Sequence, residues 1–318
     1  CKGHLTDIGG PVPAGYNPDA KEIYAEGLRI PPVKLWEKGK RRDDVINLLL
    51  TNMRARRDQE GDINAQFGAC RVGERNLMAL LDKYGVRGSV SLSVALCEHH
   101  PEIIEMSRER DWEFFSHGIY NTRYTYGMSE DQERAMIRDG IETIYRHTGQ
   151  KCAGYLAPAL SHSERTLDLF AEVGQELFGE EGGIYTCDLF HDDQPTPIRL
   201  RSGRRFVSVP YSLEMNDTIV YAVNKVEPRH YLTMLKRHFD RLYAEGAESG
   251  TVMCIPTHNY QISCPHRIKA FEEALEYITG HSDVWVATGR EIARHYLENH
   301  HDAALDDIAA KAAAAGRH

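Results

Sequence analysis

The sequence predicts an α/β fold, a parallel sheet closed or nearly closed into a distorted barrel, with a Gly/Pro-rich N-terminal extension. Strand-like and helix-like segments alternate from residue 89 to residue 299, which is the pattern of a parallel sheet covered by helices. Residues 1–35 instead repeat Gly and Pro, which make turns rather than long helices. The 318 residues, 42% of them hydrophobic, suffice for one large domain or two of ordinary size.

Short apolar runs predict the strands, and the first of them alternates apolar and polar residues from Ser89 to Leu96. Helices are predicted where apolar residues recur with helical spacing, often between an initial Pro or Ser and a final Gly. The expected strands are residues 89–96, 112–116, 153–156, 184–188, 206–210, 251–255 and 284–287. The expected helices are residues 75–84, 101–110, 131–148, 163–173, 228–245, 267–279 and 289–299.

Two further segments have less certain patterns at the ends of the chain. The apolar run of residues 45–52 fits an N-capped helix or a buried strand, and its periodicity does not decide between them. As a strand it would replace the first barrel strand, beside residues 89–96. Residues 303–318 are rich in Ala with few large apolar side chains, so we expect a frayed helix or a disordered tail there.

Charge and cysteine usage restrict the environment and the partners. The formal net charge of -9 argues against nucleic acid or an anionic membrane as the main partner, since both reward basic patches. No apolar run is long enough to span a bilayer, and no secretory leader is visible. The seven cysteines lack CxxC spacing, which fits a reducing compartment. We expect a cytoplasmic protein that acts on a small-molecule substrate.

Two histidines follow predicted strands and are the first candidates for chemistry. His117 lies after the strand of residues 112–116 and before Gly118, and His258 follows the strand of residues 251–255. Strand ends at the rim of a β/α sheet are where such proteins keep their catalytic residues. Either histidine alone is more often an ordinary polar residue at a strand exit, but the pair in this repeated context predicts one site.

Seven short stretches between residues 70 and 298 share their order and spacing with a known family. They are residues 77–85, 112–121, 154–160, 191–195, 209–217, 256–258 and 284–289. Through them the chain resembles the polysaccharide deacetylase superfamily, in particular its allantoinase-like branch of cytoplasmic amide and imide hydrolases. The resemblance implies a distorted (β/α) barrel and hydrolysis of a non-peptide carbon–nitrogen bond.

The N-terminal part resembles a different family, a short internal piece of the hydantoinase B and 5-oxoprolinase family. The matching stretches are residues 4–10, 16–20, 22–35, 61–66 and 71–75. The two resemblances overlap across residues 71–85, where we place a fusion or recombination joint. We therefore divide the chain into a hydantoinase B-like fragment (1–72), a deacetylase-like barrel (73–300) and an Ala-rich tail (301–318).

The deacetylase resemblance implies an aspartate on the first strand and a His-x-x-x-His pair that hold a divalent metal, whose open position activates water. Here the pair is His117 and Asn121, and Asn121 is neutral and a poor zinc ligand. The first-strand aspartate has no clear equivalent, and Leu156 stands where the family has an arginine. We expect no cofactor, or a weakly held divalent metal such as zinc with His117 as its ligand.

For hydrolysis of an amide or imide we assign proton transfer to His117 and His258, with Asn121 and backbone N–H groups near Gly118 as hydrogen-bond donors to the substrate carbonyl. Carboxylates in the matching stretches would orient a histidine or bind substrate, although such residues also commonly cap helices or remain solvated. Tyr155 is also a candidate, although a tyrosine at a strand end is more often a core or rim aromatic than a contact for substrate. The candidate substrate-binding residues are Asp192, Asp193, Glu214, Asn216, Asp217 and Tyr155.

Two functions remain open at this point. The first is a hydrolase of a small amide, cyclic imide or N-acyl compound, in keeping with the paired histidines. The second is a catalytically impaired chimeric protein that keeps a barrel-like fold and ligand binding, in keeping with the missing aspartate. The resemblance also implies assembly into a homo-oligomer.

Overall fold

The computed structural model describes residues 7–12, 17, 19–37 and 39–315, with residues 69–71 and 74 described for their backbone alone. The chain divides into two compact units, Cys1–Met78 and Ala79–His318. No helix in these described ranges is long and apolar enough to cross a membrane.

The first unit contains a short hairpin and two helices. Strands β1 (Trp36–Glu37) and β2 (Lys40–Arg41) pair antiparallel. Helix α1 (Asp43–Thr51) follows, and α2 (Arg56–Lys83) begins in this unit. The side chains of α1 pack with residues around it into a small apolar core made of Ile46, Leu49, Leu50, Met53 and Ile63.

The run of residues 45–52 is therefore helical, and the strand alternative is wrong. Ile46, Leu49 and Leu50 recur at helical spacing on one buried face, whereas Leu48 is 61% exposed. Asp43 and Asp44 lie in the first turn, where negative charge stabilises the positive end of the helix dipole. This segment does not replace a strand of the barrel.

The second unit alternates strands and helices as predicted. Its strands are β3 (Ser89–Leu92), β4 (Glu113–Ser116), β5 (Gly154–Tyr155), β6 (Tyr185–Thr186), β7 (Thr196–Pro197) and β8 (Val207–Ser208). Its helices are α3 (Leu96–His99), α4 (Pro101–Arg108), α5 (Glu130–Thr148), α6 (Thr166–Phe178), α7 (Pro228–Glu245), α8 (Asn259–Ile262), α9 (Pro265–Thr279), α10 (Gly289–Asn299) and α11 (His301–Ala314).

Six strands form one sheet in the order β3-β4-β5-β6-β8-β7. The pairs β3-β4, β4-β5, β5-β6 and β6-β8 are parallel, and the edge strand β7 pairs antiparallel with β8. The predicted α/β class and parallel sheet are confirmed. Within residues 39–315 the ladder ends at β3 and β7 and does not close, because two expected strands form no ladder.

Residues 251–255 and 284–287 are these two segments, and the strand predictions for them are wrong. The first segment hydrogen-bonds to a loop, since Val252 N donates to Asp193 O at 2.8 Å, and just after it Pro256 O accepts from Asp217 N at 3.2 Å. The second lies between Asp283, with φ +59°, and Thr288, which caps α10 with a capping box. Its four residues pass directly from a turn into a helix.

The helix ends show where local signals were sufficient. Helices α7 and α10 begin and end at the predicted residues, with Pro228 in the first turn of α7. Helix α6 begins at Thr166 rather than Ser163, because the Ser163 hydroxyl donates to the buried Glu133 carboxylate at 2.9 Å. At the C-terminus α11 is helical to Ala314, so the disordered alternative is wrong for residues 303–314; residues 316–318 lie outside the described range.

A buried polar cluster lies where β4 begins. Glu113 is 3% exposed and accepts hydrogen bonds from Tyr185 Oη at 2.9 Å, Arg290 N at 2.9 Å and Ser89 Oγ at 3.2 Å. Burial raises the pKa of this carboxyl, and the Arg290 guanidinium opposes the rise. The cluster ties the start of α10 to β3, β4 and β6.

The Tyr185 ring that reaches Glu113 lies against the backbone of β5. A Cβ built on Gly154 would lie 2.0 Å from Tyr185 Cζ, far inside van der Waals contact. Both residues are buried, and the ring has no space into which to move without losing the bond to Glu113. Glycine is therefore required at position 154, because any side chain there would collide with the Tyr185 ring.

We expect Gly154→Ala to lower the free energy of unfolding by about 1–3 kcal/mol or more, because the added methyl group overpacks the core. Urea unfolding followed by circular dichroism measures this. Gly250→Ala is the matched control, since a Cβ there meets nothing within 4 Å; equal stabilities of the two variants would contradict the packing argument.

Candidate active site

His117 lies one residue beyond β4, in a tight turn that requires glycine. His117 N donates to Leu92 O at 2.9 Å and so continues the ladder past Ser116. Gly118 has φ +67°, and a Cβ there would lie 2.8 Å from Pro158 Cγ. Because L side chains strain in this left-handed region, the turn after His117 is fixed by Gly118 and Pro158.

The His117 ring is held by contacts at both nitrogens. Nδ1 donates to Leu156 O at 2.7 Å, and Nε2 lies 3.1 Å from Asn121 Oδ1. Burial lowers the pKa of His117, so the ring is neutral at pH 7 and Nε2 carries the lone pair. A half-turn of the Asn121 amide places its NH₂ group at Nε2, which satisfies this tautomer.

His258 is paired with a fully buried carboxylate. Its ring Nδ1 lies 2.7 Å from Asp217 Oδ1, and its backbone N donates to Asp217 Oδ2 at 2.8 Å. Because a carboxylate only accepts hydrogen bonds, Nδ1 carries a proton, and in the neutral ring Nε2 is the basic nitrogen. The Asp217 side chain is wholly buried, whereas His258 is 38% exposed. This pair has the geometry of a positioned general base.

The two histidines act on each other electrostatically. Burial is the main cause of the lowered pKa of His117, and a charge on His258 lowers it further, whereas the Asp188 carboxylate raises it. Like charges within reach of one another disfavour the charged form. The convergence of His117 and His258 in one site stays a prediction.

Sequence reasoning missed a second histidine–carboxylate pair, Asp188 and His162. The buried Asp188 accepts from Ala157 N at 2.8 Å and from Thr186 Oγ1 at 2.9 Å, and His162 Nδ1 lies 3.6 Å from Asp188 Oδ1. The Asp188 carboxylate raises the pKa of His162. The signal was present, because Asp188 ends the predicted strand of residues 184–188 as His117 follows its own strand.

Of the predicted substrate-binding residues, Asp217 pairs with His258 and two others are used within the fold. Asn216 Oδ1 accepts from Thr218 N at 2.9 Å, and Asn216 Nδ2 donates to Tyr211 Oη at 2.8 Å. Tyr155 is 1% exposed, and its ring packs against Phe170 with centroids 5.2 Å apart. A role of either side chain in binding substrate stays a prediction.

The remaining three predicted carboxylates are nearer the surface. Asp192 is exposed, and its Oδ1 accepts from Gln194 N at 3.1 Å. The backbone of Asp193 accepts from Val252 N, and its side chain is half-buried. Glu214 is exposed at the start of the short 3-10 turn Leu213–Met215. Their roles in binding substrate stay predictions.

A divalent metal, as the deacetylase resemblance implies, does not fit the donor set found here. Among the residues that the structure describes, no group of three His, Cys, Asp or Glu is arranged to hold a metal ion. His117 uses Nδ1 for Leu156, and Nε2 faces the neutral amide of Asn121. A zinc site needs three or more nitrogen, thiolate or carboxylate ligands, which the described residues around His117 do not supply.

We expect the pKa of His117 to rise in a His258→Gln variant, because the charge that opposes its protonation is removed. Burial, the larger cause, is retained, so the pKa stays below the ordinary value of 6.5. NMR titration of the imidazole Cε1–H of His117 measures the shift. His295→Gln, at an exposed position of α10, should leave the His117 titration unchanged, and an equal result for both variants would place His258 outside this site.

Two family models match the chain. The polysaccharide deacetylase model matches residues 70–178, and the hydantoinase B/oxoprolinase model matches residues 1–105. These matches confirm both resemblances drawn from the sequence, and they overlap over residues 70–105.

Individual proteins show the same division. The caprolactamase subunit beta of Pseudomonas jessenii is 85% identical over 86 residues, which are 27% of this chain and 15% of that protein. This chain thus spans only 15% of the length of the first curated relatives it matches. The peptidoglycan deacetylase of Helicobacter pylori is 24% identical over 273 residues, 76% of this chain and 89% of that protein.

The crystal structure of Puue allantoinase superposes with a TM-score of 0.64 at 27% sequence identity, covering 72% of this chain and 73% of that chain. The open, mostly parallel sheet described above thus resembles the fold of this allantoinase, although its ladder does not close within residues 39–315. The chain is thus similar to the hydantoinase B/oxoprolinase family over its first third and to polysaccharide deacetylases and an allantoinase over much of the rest.

Proposed function

We propose that this protein hydrolyses a non-peptide carbon–nitrogen bond of a small amide, cyclic imide or N-acyl substrate. The observation that carries the proposal is the pair of Asp217 and His258, in which a wholly buried carboxylate holds both the ring and the backbone of one half-exposed histidine. The deacetylase and allantoinase relatives act on such bonds by their names, which supports the same reaction class.

In this proposal His258 Nε2 removes a proton from the attacking water. Asp217 accepts from Nδ1, which fixes the ring orientation and stabilises the imidazolium formed when the proton arrives. The same imidazolium then returns the proton to the leaving nitrogen. The proton thus moves from water to the amine product through one ring.

Asn121 is the hydrogen-bond donor to the substrate carbonyl in this proposal. Gly118 N already donates to Ser116 Oγ at 3.3 Å, whereas the Asn121 NH₂ group has two N–H bonds, so one can face His117 Nε2 while the other donates to the developing oxyanion. Asn121 is exposed and adjacent to the neutral His117 ring. A water-excluding contact with the substrate would strengthen its hydrogen bond in the transition state.

Candidate substrates follow from the named relatives. Allantoin and hydantoin contain cyclic ureide bonds, and an N-acetyl compound contains an exocyclic amide. The Pseudomonas jessenii relative is named as a subunit of a caprolactamase, and caprolactam is a cyclic amide. That likeness covers 27% of this chain. Caprolactam therefore belongs in a substrate panel beside the other three.

A catalytically impaired protein that retains ligand binding is the second candidate function. Asn121 occupies the place of a metal-ligating histidine, and no three-ligand metal group exists among the described residues. Binding of a panel compound without turnover would favour this candidate over the first.

His258→Ala should lower kcat/KM on the active panel substrate by about 10²–10⁴-fold, because general acid–base catalysis contributes that much. Asp217→Asn should also reduce kcat, since the ring loses its acceptor and its orientation. Steady-state kinetics with purified enzyme measures both.

His295→Ala serves as the matched control, because His295 is an exposed histidine of α10, remote in sequence from His117 and His258. Its turnover should equal that of the parent protein. Unfolding temperatures of all three variants separate loss of catalysis from loss of folding. Full activity of a folded His258→Ala variant would exclude the site.

Dialysis against a chelator should leave turnover unchanged, because the proton transfer proposed above uses only protein side chains and His117 faces a neutral amide. Activity before dialysis, after dialysis and after addition of zinc measures this. Activity lost on dialysis and restored by zinc would replace the proposed route with a metal-dependent one.

A further inference from the structure

The pair of His162 and Asp188 has no part in the mechanism proposed above. Asp188 lies two residues beyond β6, and His162 lies in the loop between β5 and α6. The Asp188 side chain is wholly buried, whereas the His162 side chain is 29% exposed, and Asp188 Oδ1 lies 3.6 Å from His162 Nδ1. The carboxylate thus holds one edge of a ring that solvent can reach.

The two ring nitrogens of His162 have different surroundings. Nδ1 is inaccessible to solvent and faces Asp188, so Nε2 is the nitrogen left at the accessible side, and within the described part of the chain it has no hydrogen-bond partner. The Asp188 carboxylate raises the pKa of His162 above its ordinary value of 6.5, against the effect of burial. In the charged ring one proton faces the carboxylate and the other lies on Nε2, which is then a hydrogen-bond donor.

The loop that carries His162 has a strained backbone. Ala159 and Leu160 have φ +50° and +57°, in the left-handed region that costs free energy for residues other than Gly. A contact from outside the loop helps to hold it, since Thr125 Oγ1 donates to Ser161 O at 2.8 Å. The position of His162 is therefore set by the fold.

One peptide group connects the His162–Asp188 pair with His117. His117 Nδ1 donates to Leu156 O at 2.7 Å, and the next backbone group, Ala157 N, donates to Asp188 Oδ1 at 2.8 Å. The Asp188 carboxylate raises the pKa of His162 and also opposes the lowered pKa of His117. One buried charge thus acts on both rings, at the edge of the sheet where the neighbouring strands β4, β5 and β6 end.

We propose that His162 binds the second carbonyl oxygen of a cyclic imide or ureide, which narrows the substrate class given above. The assignment rests on the proposed hydrolysis, in which Asn121 donates to the carbonyl that is attacked. An imide nitrogen has a carbonyl on each side, so donors at neighbouring strand ends match its two acceptors. A lactam or a simple N-acyl compound leaves the His162 donor unused.

A neutral acceptor fits this position better than an anion. The charge on His162 is balanced by Asp188, and a second carboxylate beside Asp188 would add like-charge repulsion. A carbonyl oxygen instead gains a hydrogen bond from a charged donor. The other charged groups near the loop are Glu164, which is exposed, and Glu133 and Arg165, which lie 3.5 Å apart. None of these three shifts the pKa of His162.

Succinimide and 2-pyrrolidinone test the proposal, because they are five-membered rings that differ by one carbonyl group. Equilibrium dialysis against the full chain carrying His258→Ala, in which hydrolysis of the ligand is suppressed, measures both dissociation constants. Succinimide should bind about tenfold or more tightly than 2-pyrrolidinone, since it alone gains the charge-assisted hydrogen bond.

His162→Leu in the same background should remove this preference and leave the affinity for 2-pyrrolidinone unchanged, because only the second carbonyl contacts the ring. His162→Gln should keep part of the preference through its amide N–H. With His162 in place, the preference should fall as the pH rises through the pKa of the ring, because Nε2 then loses its proton. The Gln variant should show no such fall, and a purely structural role of His162 predicts neither difference.

His230→Leu is the matched control, since His230 is an exposed histidine of α7. It should keep the full preference for succinimide. Equal preference in His162→Leu and His230→Leu would overturn the proposal, as would the absence of measurable succinimide binding to the folded protein.

Hydrolysis of succinimide by the parent protein is measured separately, so the two proposals can fail independently. Turnover together with an unchanged preference in His162→Leu would refute the role of His162 and leave the proposed hydrolysis standing. A preference that depends on His162, without turnover, would keep the binding role and remove the hydrolysis.

Discussion

The parallel backbone pairing of β3 to β8 is the constraint on which the site depends. Ser116 pairs with Tyr155, and Tyr155 pairs with Thr186, in one register. The residues just beyond these pairs therefore meet at one edge of the sheet, where His117 Nδ1 reaches Leu156 O. A slip of one residue in a single pair would turn each of these side chains to the opposite face.

The α/β class and the main helices of the second unit could be predicted from the sequence because their signals are local. Pro228 and Thr288 mark the starts of α7 and α10, and a cap acts within one turn of its helix. The failures were segments whose state depends on distant partners. Residues 251–255 have the composition of a strand, but their backbone bonds go to loop residues such as Asp193.

The same distinction applies to the site. A histidine after an apolar run could be recognised locally, and so could a carboxylate-rich stretch around Asp217. Which carboxylate pairs with which histidine could not, because Asp217 and His258 lie 41 residues apart. Asp188 at its strand end could have been recognised in the same way, but its pairing with His162 could not, since their closeness follows from the neighbouring positions of β5 and β6 in the sheet.

The glycine turn after His117 also determines where this site can change. A side chain at Gly118 meets Pro158 in a strained backbone, so substitution there damages the scaffold before it alters chemistry. The next residues are different: Tyr120 is 49% exposed and Tyr126 is 96% exposed, and exposed positions usually tolerate replacement within about 0.5 kcal/mol. A mutant library that aims at new substrates is therefore best directed to residues 120–126, with His117 and Gly118 left unchanged.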